Sequence, residues 1–254
     1  MSIGIKLCLM PYRYWNWGLT ESNTPASAVF DGSATSMSGN GAYIAGRGPL
    51  TLSLPGYPDI YLPSGSGGGC VTSGPFKNMT VNLGPVNLPL NGGGDQTGTG
   101  LTYNPRCLVR DIGTLINEAY ANCTAIINLI LNNNDIYDFQ TVMQGVPGSG
   151  NIGVHGGGHY TIAGNPGGDV FSSPGDPAFY LHHSMIDRVW WIWQNLDLPA
   201  RKNAISGTGT FLNLPPSANT TLETVINLGH AGGTDIAMAD LMSTTAGPFC
   251  YIYE

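Results

Sequence analysis

Charge is scarce in this chain of 254 residues: Asp, Glu, Lys and Arg make up 10% of it, and the net charge is −7. A nucleic acid or an anionic membrane needs a clustered positive field, so a chain with only 9 Lys and Arg argues against either as a partner. Long apolar runs are missing as well; crossing a bilayer takes about 20 consecutive apolar residues, and no segment reaches that. The opening, Met1 to Met10, has too short an apolar stretch and no small-residue cleavage site, so it makes a poor signal peptide. Histidine is rare too, at 5 residues, which makes the placing of each informative. By contrast the chain holds 37 Gly, 18 Pro and 42% hydrophobic residues, a composition that folds around a core but carries long ordered loops. Length points to a single domain, residues 1–254.

Residues 18–106 are rich in Gly, Pro, Ser and Asn, with short apolar runs such as Leu50-Thr-Leu-Ser-Leu54, and read as loops with a hairpin or two. Three helices are expected next: about 111–121 after an Asp111 cap, about 124–132, and about 135–144 after an Asp135 cap with Gly145 as the stop. Two more are expected at about 155–163 and 177–195, the second opened by Asp176 as N-cap and Pro177 at the first helical position, where its missing N–H costs nothing. The class is mainly α with a little β. Of the five cysteines, Cys70, Cys107, Cys123 and Cys250 can make two disulfides in any of three connectivities, leaving Cys8 unpaired. Three sequons, at Asn78, Asn122 and Asn219, suggest N-glycosylation and a secretory, extracellular lineage.

Four of the histidines fall in two segments. In His155-Gly-Gly-Gly-His159 the two imidazoles are four residues apart, so on a helix they leave the same face and can share a metal ion. In Asp176-Pro-Ala-Phe-Tyr-Leu-His182-His183-Ser-Met-Ile-Asp187-Arg188 the helix carries a histidine doublet in its second turn, and His183 can supply a third nitrogen. Three neutral imidazoles suit copper, zinc, iron or nickel, and their number alone does not choose. Taken alone, the doublet also fits an ordinary buried helix turn.

The flanking residues choose. A His-x-x-x-His helix, a Gly-rich turn (Gly164-Asn-Pro-Gly-Gly168), the Asp176–Arg188 segment and a Trp-rich end (Trp190-Trp191-Ile-Trp193) follow in order. Together they resemble closely the second copper-binding segment of the type 3 copper proteins, the tyrosinases, catechol oxidases and haemocyanins. The resemblance implies copper as cofactor, with His155, His159 and His183 as ligands. It makes His182 a neighbour of the site held by a hydrogen bond, and Phe179 the aromatic packed beside the metal pair. Asp187, one turn after His183, is expected to orient a ligand imidazole by accepting its other N–H. Gly156 and Tyr160, each following a ligand, are expected to line the pocket, Tyr160 being equally readable as core. Trp190, Trp191 and Trp193 read as core.

The implied fold is a type 3 copper-protein helical bundle, N-terminally truncated, with long Gly/Pro-rich loops. The truncation is expected because the family's Pro-Tyr-Trp stretch, here Met10-Pro-Tyr-Arg-Tyr-Trp15-Asn-Trp17, has no histidine before it, so the helices of the first copper are absent. His230 sits in a Gly-rich turn and reads as a surface residue. An apolar face left uncovered beside the two ligand helices is a further expectation. The chain ends on Tyr251-Ile-Tyr253-Glu254, and a Tyr-x-Tyr element closes the catalytic domain in fungal and plant members, so no C-terminal shielding domain is expected.

The implied partners are phenolic small molecules and dioxygen. Monophenol hydroxylation in the family goes with an asparagine after the first ligand and an upstream glutamate; here Gly156 stands in the first place, and no Asp or Glu lies between Gln140 and Val154. A catechol oxidase therefore fits better than a strict tyrosinase, similar to short secreted polyphenol oxidases of filamentous fungi. The alternative is a truncated, non-catalytic remnant, or a gene-model fragment, that binds one metal ion or none.

Overall fold

The computed structural model describes residues 10–11, 13–54, 56–86, 100–229 and 232–253. His230 and the expectation for Cys8 lie outside them. The described elements form two compact units, interleaved in sequence: Tyr14–Ile127 with Val142–Ile186, and Met1–Arg13 with Asn128–Thr141 and Asp187–Glu254.

The helices are α1 (Trp17–Thr20), α2 (Thr114–Tyr120), α3 (Cys123–Asn132), α4 (Ile136–Gln144), α5 (Gly153–Ile162) and α6 (Ala178–Leu196), with shorter turns beyond. Their starts follow local chemistry. Asn122 Oδ1 accepts the Ala125 N–H and Asp135 Oδ1 accepts the Asp138 N–H, each at a helix entrance. Gly145 ends α4 at φ 91°, a conformation that a side chain would strain. Asp111 does not cap α2 as expected. The helix starts three residues later, behind Gly113. The Asp111 carboxylate instead pairs with Arg47 and accepts the N–H groups of Gly65 and Gly67. Burial alone would raise its pKa, but Arg47 and the two N–H groups outweigh that and hold it low.

In the Tyr14–Ile127 and Val142–Ile186 unit, the Gly-rich region makes three short antiparallel pairs: Gly41–Tyr43 with Gly68–Val71, Leu50–Leu52 with Ile60–Leu62, and Thr80–Val81 with Arg106–Cys107. Cys70 and Cys107 form a disulfide, whereas Cys123 is free and exposed, so it takes no part in the expected pairings. Cys250 is disulfide-bonded. The segment after Cys107 is a spine: the Val109 and Asn165 backbones exchange two hydrogen bonds at 3.0 Å, and the Asp111 and Gly113 N–H groups reach the Ile162 and Thr161 carbonyls. It therefore fastens the end of α5 to the hairpins.

The buried anchor of this unit is Arg110. Its Nε and Nη2 bond the two Asp176 oxygens at 2.9 and 2.7 Å, and its Nη1 donates to the carbonyls of Met37, Ser38 and Gly39. Both side chains are shut off from solvent. Asp176 in turn accepts the Ala178 N–H at 2.8 Å, so the cap expected at the start of α6 is itself held by an ion pair. Close by, Trp15 and Trp17 are fully buried. Asn117 ties their stretch down, its Oδ1 accepting from Thr20 and Thr24 and its Nδ2 donating to the Trp17 carbonyl.

In the other unit, Trp193 is fully buried, stacks on Phe139 at 4.7 Å and donates its indole N–H to the Asn133 carbonyl. Trp190 and Trp191 are half-buried, so the expectation that all three form core holds fully for Trp193 alone. Here Met10–Pro11 pairs in parallel with Tyr251–Ile252. Phe179 and Trp190 are half-buried, and Tyr180 and Phe171 are 60% and 63% exposed. No helix among the described residues is long and apolar enough to cross a membrane.

Because every donor facing the pair is used, removing one partner strands the other in the interior. Arg110→Ala is expected to cost about 3–5 kcal/mol, the range for breaking a buried pair from one side. Chemical denaturation measures it; a loss within about 1 kcal/mol, the scale of an exposed pair, would contradict the anchoring role.

Candidate metal centre

Helix α5 is an unlikely helix by propensity, since three consecutive glycines occupy its middle at a cost of about 1 kcal/mol each. Packing explains two of them. A Cβ on Gly157 would stand 2.8 Å from the Tyr120 Cβ, and one on Gly158 would stand 2.2 Å from the His182 ring. The glycines let α2 lie close against α5 and let the histidine doublet of α6 reach in.

The resulting geometry brings the three expected ligands together. The His155 and His159 ring centres are 4.8 Å apart, and each lies 5.2 Å from that of His183. The His159 and His183 Nε2 atoms are 3.1 Å apart, a spacing that two nitrogens on one metal ion adopt. Two of the rings are held at their other nitrogen. His155 Nδ1 is 2.7 Å from Gln144 Oε1, and His159 Nδ1 is 3.2 Å from the Gly167 carbonyl. Both partners are acceptors, which assigns the proton to Nδ1 and leaves each Nε2 lone pair free to ligate. Burial, then the neighbouring His159 and His183, lower His155 to about 3. Burial followed by His159 lowers His183 to about 4. Burial also lowers His159, against the opposing pull of the Gly167 bond and Asp176. All three rings are therefore neutral at pH 7, the form that binds metal.

His182 lies deeper than the other three. It joins the cluster, with one ligand atom of each of the four histidines within 4.8 Å of the others. Its ring is fully buried against Trp15 and Trp17. Burial, followed by the other three imidazoles, holds its pKa well below the usual value, while the His155 backbone pulls slightly the other way. The His155 backbone offers the ring a weak hydrogen bond.

The remaining residues divide. Phe179 stacks on His183 with ring centres 3.9 Å apart, in the expected place. Asp187 was expected to steady a ligand ring; its hydrogen bonds go instead to the hydroxyls of Tyr251 and Tyr253, because the chain's closing segment lies within its reach. Tyr160 packs against the cluster of Leu50, Leu62, Ile116 and Ile152, and burial, with Asp169 adding, raises its phenol to about 12, so it serves as core. A Cβ on Gly156 would meet Ile152, 3.0 Å away, rather than the histidines. Sequence reasoning missed Gln144, the Gly167 carbonyl and Arg110. A glutamine eleven residues from its histidine carries no local signal, and a carbonyl carries none in any sequence.

Gln144 is exposed, so its replacement tests orientation without disturbing the core. Gln144→Leu is expected to weaken copper binding about 10- to 100-fold with little change in the stability of the metal-free chain. Isothermal titration of both variants reads it; unchanged affinity would remove Gln144 from the centre.

Comparison with known proteins shows the family. The common central domain of tyrosinase, as a family model, matches residues 8–196. Tyrosinase P of Aspergillus terreus is 39% identical over 241 residues, 94% of this chain and 67% of that protein. Oxidase hkm6 of Aspergillus hancockii is 36% identical over 245 residues, 94% of this chain and 83% of its own length. Among solved structures, a mutant polyphenol oxidase from Thermothelomyces thermophila superposes with a TM-score of 0.87 at 44% identity, covering 95% of this chain and 65% of that one. The chain thus spans about two thirds of the length of that structure. With the histidine pair on α5, the doublet on α6 and the match over both helices, the chain belongs to the tyrosinase family.

Proposed function

We propose that this chain is a tyrosinase-type copper oxidoreductase domain acting on phenolic compounds with dioxygen, and on catechols in preference to monophenols. The observation that carries the reading is the convergence of His155, His159 and His183 with two of the three rings held at the nitrogen that faces away. Copper held there, together with a second copper, would supply the redox chemistry by which two catechols become quinones while one dioxygen is reduced to two waters. The protein's part is to keep three neutral imidazoles oriented and to limit approach from one side, where Phe179 lies flat on His183. The catechol preference rests on the position after the first ligand, Gly156, and on the neutral Gln144 that stands beside His155 in a stretch with no carboxylate. Nothing there can take a proton from an incoming monophenol as a carboxylate would. Two of the relatives, an oxidase and a polyphenol oxidase, support the same reaction class.

The alternative, a non-catalytic segment that holds one ion or none, rests on the histidine count. The chain's five histidines include one three-histidine set, and a type 3 centre uses two. A secretory lineage is supported by the Cys70–Cys107 bridge and by the exposure of Asn78 and Asn219. Asn122 is committed to capping α3. A glycosidase mass shift at Asn78 or Asn219 in the secreted protein is the check on it.

Metal analysis and a quinone assay separate the two readings. The chain alone is expected to bind one copper, lost in His155→Ala, and to leave 4-methylcatechol at the background rate. Fused to a segment that supplies three further imidazoles, it is expected to oxidise 4-methylcatechol and leave tyrosine untouched, with Gly156→Asn alone not adding hydroxylation. Copper uptake unaffected by His155→Ala would overturn the site. Vigorous tyrosine hydroxylation would overturn the catechol preference.

A further inference from the structure

One buried carboxylate shapes the turn that follows α5. Asp169 is 1% exposed. Its Oδ1 accepts the N–H groups of Phe171 and Ser172 at 2.9 and 3.1 Å, and its Oδ2 accepts the Val86 N–H at 2.7 Å. The first two contacts alone would make an ordinary Asx turn, in which an aspartate bonds backbone just ahead of it. The third is not local, because Val86 lies 83 residues earlier in the chain. Arg106 supplies the facing cation and donates to Asn165 Oδ1 at 2.8 Å, at the head of the same turn.

Apolar packing does not account for this turn. Val170 and Phe171 stand 49% and 63% exposed, an arrangement that hydrophobic burial works against. What holds the backbone is hydrogen bonding to an ionised group, roughly twice as strong as the neutral kind. The Asp169 main chain adds its own closure: its N–H donates to the Pro166 carbonyl at 2.8 Å, and its carbonyl accepts the Ser173 N–H at 3.0 Å. Inside that closure lies Gly167, whose carbonyl is the partner of His159 Nδ1 at 3.2 Å. Space there is tight, since a Cβ on Gly167 would stand 2.8 Å from the Ala163 carbonyl oxygen. The direction of the Gly167 carbonyl is thus a property of the turn that Asp169 holds.

We propose that Asp169 is a positioning residue for the metal centre: by holding residues 166–173 it aims the Gly167 carbonyl at His159 Nδ1. That keeps the proton on Nδ1 and the Nε2 lone pair turned toward the ion. The inference rests on the reading of His159 as a ligand and goes beyond it. Asparagine cannot take over the task. It keeps one acceptor oxygen, and its amide nitrogen would face an N–H group. The coupling is reciprocal, so a bound ion steadies the turn by the same factor by which the turn strengthens the ion's binding.

The test uses Asp169→Asn with zinc as the probe. Nitrogen-15 spectra of the metal-free wild type are expected to show both His159 and His155 protonated at Nδ1. Asp169→Asn is expected to shift His159 to a mixture of tautomers, leave His155 on Gln144 as it was, and weaken zinc binding about tenfold or more. A residue of merely structural importance would lower the melting temperature and leave the His159 tautomer and the zinc affinity unchanged. That result would overturn the proposal, while zinc binding still lost in His159→Ala would keep the three-histidine reading. Zinc binding indifferent to His159→Ala would overturn both. Should Asp169→Asn not fold, amide hydrogen exchange in the wild-type chain decides. Zinc is expected to slow exchange at Val86, Phe171 and Ser172 but not at Gly65 and Gly67, whose N–H groups bond the Asp111 carboxylate instead. No slowing at the first three, or equal slowing at both sets, would overturn the positioning role.

Discussion

The ion pair between Arg110 and Asp176 is the contact on which the ligand-bearing architecture depends. One guanidinium spends its Nε and Nη2 on a carboxylate and its Nη1 on the carbonyls of residues 37–39, and that carboxylate caps the helix that carries His182 and His183. The Arg110 backbone meanwhile bonds Gly68 and Gly69 in the hairpins. A residue in the middle of the spine thus sets where α6 begins, and the start of a helix fixes the angular position of the side chains one to two turns on. Buried pairs of this kind seldom add net stability over apolar packing, so the physical return here is position.

A second constraint works from the opposite side. Helix α5 gives up intrinsic stability at Gly156, Gly157 and Gly158, and packing against α2 and the His182 ring restores it. The polar ends of the site then follow from neighbours that are not themselves reactive. Gln144 closes α4 and holds His155, and the turn after α5 turns the Gly167 carbonyl onto His159. Burial does the rest by keeping the imidazoles unprotonated. The centre is therefore made by two helices and secured by the ends of two other segments.

Much of this was legible in the residues because it is local. Helix starts depend on a cap and a periodic face, which is why the expected 124–132, 135–144 and 177–195 lie within a residue or two of α3, α4 and α6. The ligand set was legible because the His155–His159 pair and the Asp176–Arg188 segment together resemble a known copper-binding segment; spacing alone left the metal open. What stayed hidden was long-range. Asp111 has the look of a helix cap, but Arg47, sixty-four residues earlier, claims its carboxylate. Asp187 sits at the right spacing to support a ligand, yet Tyr251 and Tyr253 take it. Cys123 was one of four cysteines expected to pair, but the fold joins Cys107 to Cys70 and leaves Cys123 free. The histidine doublet shows the same limit: the family resemblance picks out His183, and only the packing shows that His182 is turned into the same cluster.

The claim that the Arg110–Asp176 pair acts through position rather than stability can be tested by replacing both partners at once. Arg110→Met with Asp176→Leu removes the charges and keeps apolar volume, a change that often leaves stability near that of the parent. The measurement is zinc affinity of the doubly substituted chain by competition with a chromophoric chelator, alongside its unfolding free energy. The account predicts stability close to the wild type and zinc binding weaker by about tenfold or more, the effect of losing support behind a ligand. Zinc affinity equal to that of the wild type in a folded double variant would contradict it.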